Sequence, residues 1–117
     1  MSIAITGTGS YIPTLTITNK DFNKHEFLNL DGSTFKHTNE VIIEKFKAIT
    51  GIEERRYASK EFTTSNLAFF AAEKAIESAQ IDKETLDYII VAHNFGDLVH
   101  GQTQGDTLPS LATRVKH

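Results

Sequence analysis

The sequence predicts an α/β fold, and three observations carry that expectation. Short β-branched or apolar runs at residues 3–6, 52–58 and 86–94 are separated by stretches of helical periodicity, in the order strand, helices, strand, helix, strand. The run Tyr88-Ile-Ile-Val-Ala92 is nearly all apolar, as in a parallel strand covered on both faces. Between the last two runs lies an alanine-rich segment, residues 63–80, with one small-residue face.

Each element has its own local reason. Residues 3–6 (IAIT) read as a strand, and Gly7, Gly9 and Pro13 then break it, with a glycine turn at positive φ expected. Thr18 or Asn19 can cap a short helix carrying Phe22, Phe27 and Leu28, after which NLDGS turns the chain. Thr38 or Asn39 caps the next helix, where Ile42, Phe46 and Ile49 recur on one face. Gly51 stands where a left-handed residue ends it. IEERRYA alternates enough for a strand at or near a sheet edge, since its charges need water.

Thr64 or Ser65 starts the long helix, whose Ala68, Ala72, Ala75, Ile76 and Ala79 share a face suited to close packing. IDKETLD is a polar turn before the apolar run, and residues 94–106 form a polar, glycine-rich loop. Asp106 or Thr107 can cap a last helix with Pro109 in its first turn and Leu108, Leu111, Ala112 and Val115 on its apolar face. No Gly or Asn closes that helix before His117.

Composition narrows the function classes. A chain of 117 residues, 39% hydrophobic and 23% charged, has the size and balance of one folded domain. A net charge of −3 with no basic stripe argues against a nucleic-acid or anionic-membrane partner. The apolar run is too short to span a bilayer and the N-terminus lacks a secretion signal, so the cytoplasm is the default. There is no cysteine, hence no disulfide, thiolate metal site or thiol nucleophile.

The candidate chemical motifs each meet a plainer reading. GTGSYIP follows a strand but lacks the third glycine and immediate helix of a dinucleotide site, so a tight turn is the better account. His25, His93 and His100 match no zinc spacing. His93 ends the apolar run, where α/β sheets place ligands, yet a hydrogen-bonded structural histidine is the commoner outcome. Ser65 and Ser110 read as helix-start residues, and neither sits in a nucleophile elbow. Glu53 and Glu54 point to opposite faces of a strand and cannot act as a pair.

Four stretches in order resemble the ketoacyl-acyl-carrier-protein synthase III family of thiolase-fold condensing enzymes: ITGTGSYIP, ITGIEERRYA, the alanine helix with IDKETLDYIIVAHN, and LPSLATRVKH. The second is similar to the family's TGI-x-ER segment through Thr50, Gly51, Ile52, Glu54 and Arg55. The resemblance implies that residues 1–117 are the N-terminal portion of a thiolase-like α/β/α domain, ending before the nucleophilic cysteine, with histidine and asparagine later still. The intact enzyme would take an acyl group from acyl-coenzyme A and condense it with malonyl-acyl carrier protein, starting fatty acid synthesis as a homodimer without cofactor or metal. The chain itself would carry no catalytic residue. Two positions match family substrate-binding residues: Thr50, at the coenzyme A entrance, and Leu108, which reaches across the dimer into the partner's acyl pocket.

Two departures accompany the resemblance. The family's adenine-stacking tryptophan and arginine align with Lys45 and Ile49, and the loop from Ala92 to Pro109 is long for the family. Another acyl donor, or loading from a carrier protein, therefore stays open, as do hydroxymethylglutaryl-coenzyme A synthase-like and polyketide-forming relatives. The reading from a different class is a self-standing binding or dimerisation module.

Overall fold

A computed structural model describes residues 2–106 and 108–116. The chain divides into two units, Thr14–Tyr57 and a second that joins the residues up to Pro13 with those from Ala58 onward.

The Thr14–Tyr57 unit is built on a two-stranded antiparallel ribbon, β1 (Leu15–Thr18) with β2 (Glu54–Tyr57). Leu15 pairs with Tyr57, Ile17 with Arg55 and Thr18 with Glu54, so alternation sorts the side chains. Leu15, Ile17, Arg55 and Tyr57 share one face, while Thr16, Thr18, Glu54 and Arg56 share the other. IEERRYA is thus a strand, as its alternation predicts. Its partner β1 was not anticipated, although LTIT carries the same β-branched alternation.

The expected helix after Asn19 is a 3-10 segment, Asn19–Lys24, and Phe27 and Leu28 lie beyond it. Asp21 terminates it at its start by accepting the Thr18 N–H and hydroxyl, both at 2.7 Å. NLDGS does turn the chain: Asp31 Oδ1 accepts from the Ser33 amide, Gly32 has φ 81°, and Leu28 bridges Thr34.

Helix α1 (Asn39–Thr50) follows, with Thr38 as the N-cap residue and Gly51, at φ 67°, as the left-handed stop. Asn39 uses its amide differently from a cap, donating to the carbonyls of Asn23 and His25 at 2.8 Å each. Ile42 is buried on the predicted face, but Ile49, on the same face in the last turn before the stop, is 81% exposed.

In the second unit, α2 (Thr64–Ala79) holds the expected alanine helix, its first turn closed by the Thr63 N–H donating to Asn66 Oδ1 at 2.9 Å. Residues 3–6 join no ladder among the described residues, which corrects the expected strand. The glycines beyond them do something other than turn. Neither Gly7 nor Gly9 has positive φ. A Cβ on Gly7 would stand 2.6 Å from the Ala75 carbonyl and 2.7 Å from the Ala79 Cβ, and one on Gly9 would meet the Ala71 carbonyl and Ala75 amide. GTG is glycine because backbone lies directly on the alanine face of α2.

Residues 86–94 also join no ladder among the described residues, so the expected parallel strand is absent; Ile90 is 93% exposed. Strand propensity needs a hydrogen-bonding neighbour to become a strand, and among the described residues this run pairs with none. Within IDKETLD, Asp82 caps a single 3-10 turn, Lys83–Thr85.

Helix α3 (Leu111–Lys116) starts three or four residues later than a cap at Thr107 or Asp106 would place it. Pro109 precedes it, and Ser110 is the cap: its Oγ accepts from the Thr113 amide at 3.3 Å. Asp106 instead forms a bridge with Asp97, and Thr107, the other expected cap, lies outside the described residues. Leu111 and Val115 are buried and α3 packs on α2. Among the described residues, Ile42, Leu111 and Val115 are the buried apolar side chains.

Candidate functional site

Thr50 ends α1, and the helix end dictates how its hydroxyl is used. The Oγ1–H donates to the Phe46 carbonyl at 2.7 Å and Oγ1 accepts the Ile52 amide at 3.2 Å. One acceptor lone pair is left, and no donor. A ligand at Thr50 would therefore meet an acceptor and the exposed backbone of the Gly51 turn. That turn is held from β1's end: the Asn19 side chain donates to the Ile52 carbonyl at 2.8 Å, and its N–H donates to the Glu53 carbonyl at 3.1 Å.

Arg55, the arginine of TGI-x-ER, faces inward. Its Nη1 donates to Asn19 Oδ1 at 3.2 Å and its guanidinium lies 5.4 Å from the centre of the Phe22 ring. Glu54 and Arg56 pair on the opposite, solvent face at 3.1 Å. A groove of about 190 Å³ is lined by Phe22, Phe27, Ile43, Phe46, Arg55 and Tyr57. That volume is below the roughly 300 Å³ at which small-molecule sites begin, and Phe46 and Tyr57 in its lining are exposed, so it is a shallow surface groove. Lys45, one of the two positions that depart from the family's adenine clamp, has its Nζ 3.4 Å from His37 Nε2.

Leu108 belongs to the other unit and is 81% exposed. Its side chain stands clear, but its main chain does not. Arg114, one turn into α3, donates from Nη2 to the Leu108 carbonyl at 3.3 Å and from Nε to the Pro109 carbonyl at 3.1 Å. The same guanidinium pairs with Asp106 Oδ2 and Asp97 Oδ2, each at 3.4 Å.

Asp97 is 6% exposed, and sequence reasoning missed it. Its carboxylate accepts the Ser65 N–H at 2.7 Å and the Ser65 hydroxyl at 2.6 Å. Burial opposes its ionisation, but the Ser65 bonds, Thr63 and the charge of Arg114 outweigh that and hold the carboxyl below its ordinary value. A carboxylate at the first turn of a 16-residue helix also meets its free N–H groups. Ser65 is thereby a helix-start residue, as expected, and Ser110 is another. His93 is structural too: its Nδ1 accepts the Gly96 amide at 2.9 Å, closing a turn before Asp97.

Among the described residues there is no cluster of three metal-ligating side chains and no helix long and apolar enough to cross a membrane.

No protein-family model matches the chain. Individual relatives do. β-Ketoacyl-[acyl-carrier-protein] synthase III 1 of Vibrio parahaemolyticus is 39% identical over 112 residues, which are 96% of this chain and 29% of the relative. The protein of the same name from Vibrio vulnificus is 38% identical over the same shares. β-Ketoacyl-[acyl-carrier-protein] synthase III of Oceanobacillus iheyensis is 41% identical over 92 residues, 79% of this chain and 25% of the relative. The chain spans under a third of the length of these relatives. With 38–39% identity over 96% of its length, it belongs to the β-ketoacyl-acyl-carrier-protein synthase III family.

Proposed function

We propose that residues 1–117 are the N-terminal portion of a condensing enzyme with the layered α/β/α thiolase-type fold. The full-length protein moves an acyl group from the coenzyme A thioester to a cysteine sulfur, releasing the coenzyme A thiol. Malonyl-acyl carrier protein then loses carbon dioxide, and its α-carbon attacks the acyl-enzyme carbonyl, expelling the cysteine thiolate and leaving a β-ketoacyl carrier protein. Histidine and asparagine outside this chain stabilise the oxyanion. The observation that carries the reading is identity of 38–39% over 96% of the chain to synthases of this name.

Within that enzyme, Thr50 lines the coenzyme A entrance and offers an acceptor, while Leu108 contributes to an acyl pocket across a homodimer. The chain carries no cysteine, so it supplies no thiol nucleophile of its own. Intact mass spectrometry of the full-length protein with acetyl- to octanoyl-coenzyme A tests the reading. A hydroxylamine-sensitive acyl adduct, discharged by malonyl-acyl carrier protein with release of carbon dioxide, is expected. Absence of any adduct across the series refutes it. Residues 1–117 alone should acquire no acyl group.

A further inference from the structure

The geometry points to Arg114 as the positioning residue for Leu108, oriented in turn by Asp97 and the first turn of α2. This rests on the proposed role of Leu108 in an acyl pocket. Arginine presents five N–H donors in a fixed planar fork, so what it touches is held in angle as well as distance. Here two of its donors go to the two consecutive carbonyls of the turn that bears Leu108, at 3.3 and 3.1 Å. The remaining contacts are carboxylates at either end of the loop before that turn, Asp97 and Asp106. Those two residues also bridge each other, so the loop is closed at its base.

The order of support runs inward to outward. Ser65 fixes Asp97 with a main-chain and a hydroxyl bond, both shorter than any bond Arg114 makes. Asp97 holds one Nη of Arg114, and Arg114 holds the backbone of Leu108 and Pro109. The leucine side chain is left 81% exposed on a turn whose main chain is tied down. A wall residue of an acyl pocket needs this combination: a fixed root and a free side chain. Lysine cannot replace Arg114, because one ammonium cannot span two carbonyls and two carboxylates.

The test uses the full-length protein and compares kcat/KM for acetyl- and octanoyl-coenzyme A in the wild type, L108A, R114Q, R114K, D106N and the double variant L108A/R114Q. Pocket discrimination by a methylene or two is worth about tenfold in that ratio. L108A and R114Q should each move the ratio about tenfold in the same direction, the double variant should move it no further, and R114K should not restore it. Melting temperatures measured alongside report the purely structural effect. A common fall for both donors, with the ratio unchanged in R114Q while L108A shifts it, overturns the positioning role and leaves the reading of Leu108 standing. An unchanged ratio in L108A overturns both, and no turnover with any donor overturns the functional reading itself. Should R114Q not fold, D106N carries the test at an exposed carboxylate: a partial shift supports the role and an unchanged ratio overturns it.

Discussion

The carboxylate of Asp97 receives the backbone N–H of Ser65 at 2.7 Å and its hydroxyl at 2.6 Å, joining residues 32 apart in the chain. The pair anchors the 94–106 loop to the start of α2, and Arg114 completes its charge balance. Because the Asp97 pKa is lowered on folding, its contribution is fully present above the unfolded value of about 3.9 and is lost as pH falls through the folded one. Asp97→Asn weakens two charge-assisted hydrogen bonds to Ser65 and should destabilise at neutral pH by about 1–3 kcal/mol. It should also flatten the acid limb of stability below about pH 5. Urea melts from neutral to acid pH check both, and an acid limb as steep as the wild type would refute the assignment.

Gly9→Ala should destabilise by about 1–3 kcal/mol, since its Cβ would meet main-chain atoms of α2 that cannot swing aside. Thr8→Ala, at an exposed neighbour, should change stability by less than about 0.5 kcal/mol. On the opposite side of the same contact, Ala75→Leu should cost more than Glu73→Leu. Equal denaturation midpoints for the two helix variants would contradict the docking of residues 7–9 on α2.

Arg55→Ala should cost about 1–2 kcal/mol by removing the charge over Phe22 and the bond to Asn19. Glu53→Ala breaks a 2.7 Å pair with Lys47 that is open to water on both sides, and should cost less than Arg55→Ala. The comparison is read from thermal melts in low and high salt. Only the second variant's effect should vanish at 1 M salt, where screening is nearly complete.

Ile3, Ile5, Tyr88 and Ile90 all expose most of their side chains. Exposed apolar side chains of this size favour association, so residues 1–117 on their own should self-associate with rising concentration. Ile90→Lys should shift the association to higher concentration. Light scattering over a dilution series decides it, and a monodisperse monomer throughout would contradict the prediction.

The elements legible in the sequence are those whose signals are local. Helix α1 declared itself through Ile42, Phe46 and Gly51, α2 through its alanines, and β2 through the alternation of IEERRYA. What was misread depends on partners. Residues 3–6 and 86–94 have the composition of strands, but a strand is a relation between two segments, and composition names one. LTIT was overlooked for the converse reason, its partner lying far along the chain. The need for glycine at 7 and 9 was visible while its cause was not, because positive φ and close approach leave the same residue. Asp97 and Arg114 carried no pattern at all. An aspartate in a polar loop becomes a buried carboxylate only when Ser65 and α3 are brought to it.

The β1–β2 ribbon has a kinetic consequence. Asn19 and Arg55, which meet beside it, are 36 residues apart, and closing a flexible loop of that length costs about 3 kcal/mol in chain entropy beyond a constant. Twelve of the intervening residues belong to α1. A helix rises only about 1.5 Å per residue, less than half the extended span, so α1 shortens the gap before the ribbon can zip. Helical turns form on the sub-microsecond scale, well ahead of strand pairing, so α1 should be in place when the rate-limiting closure occurs. Ala48→Gly, a helix-weakening change that touches neither strand, should then slow the folding of Thr14–Tyr57 more than it speeds its unfolding.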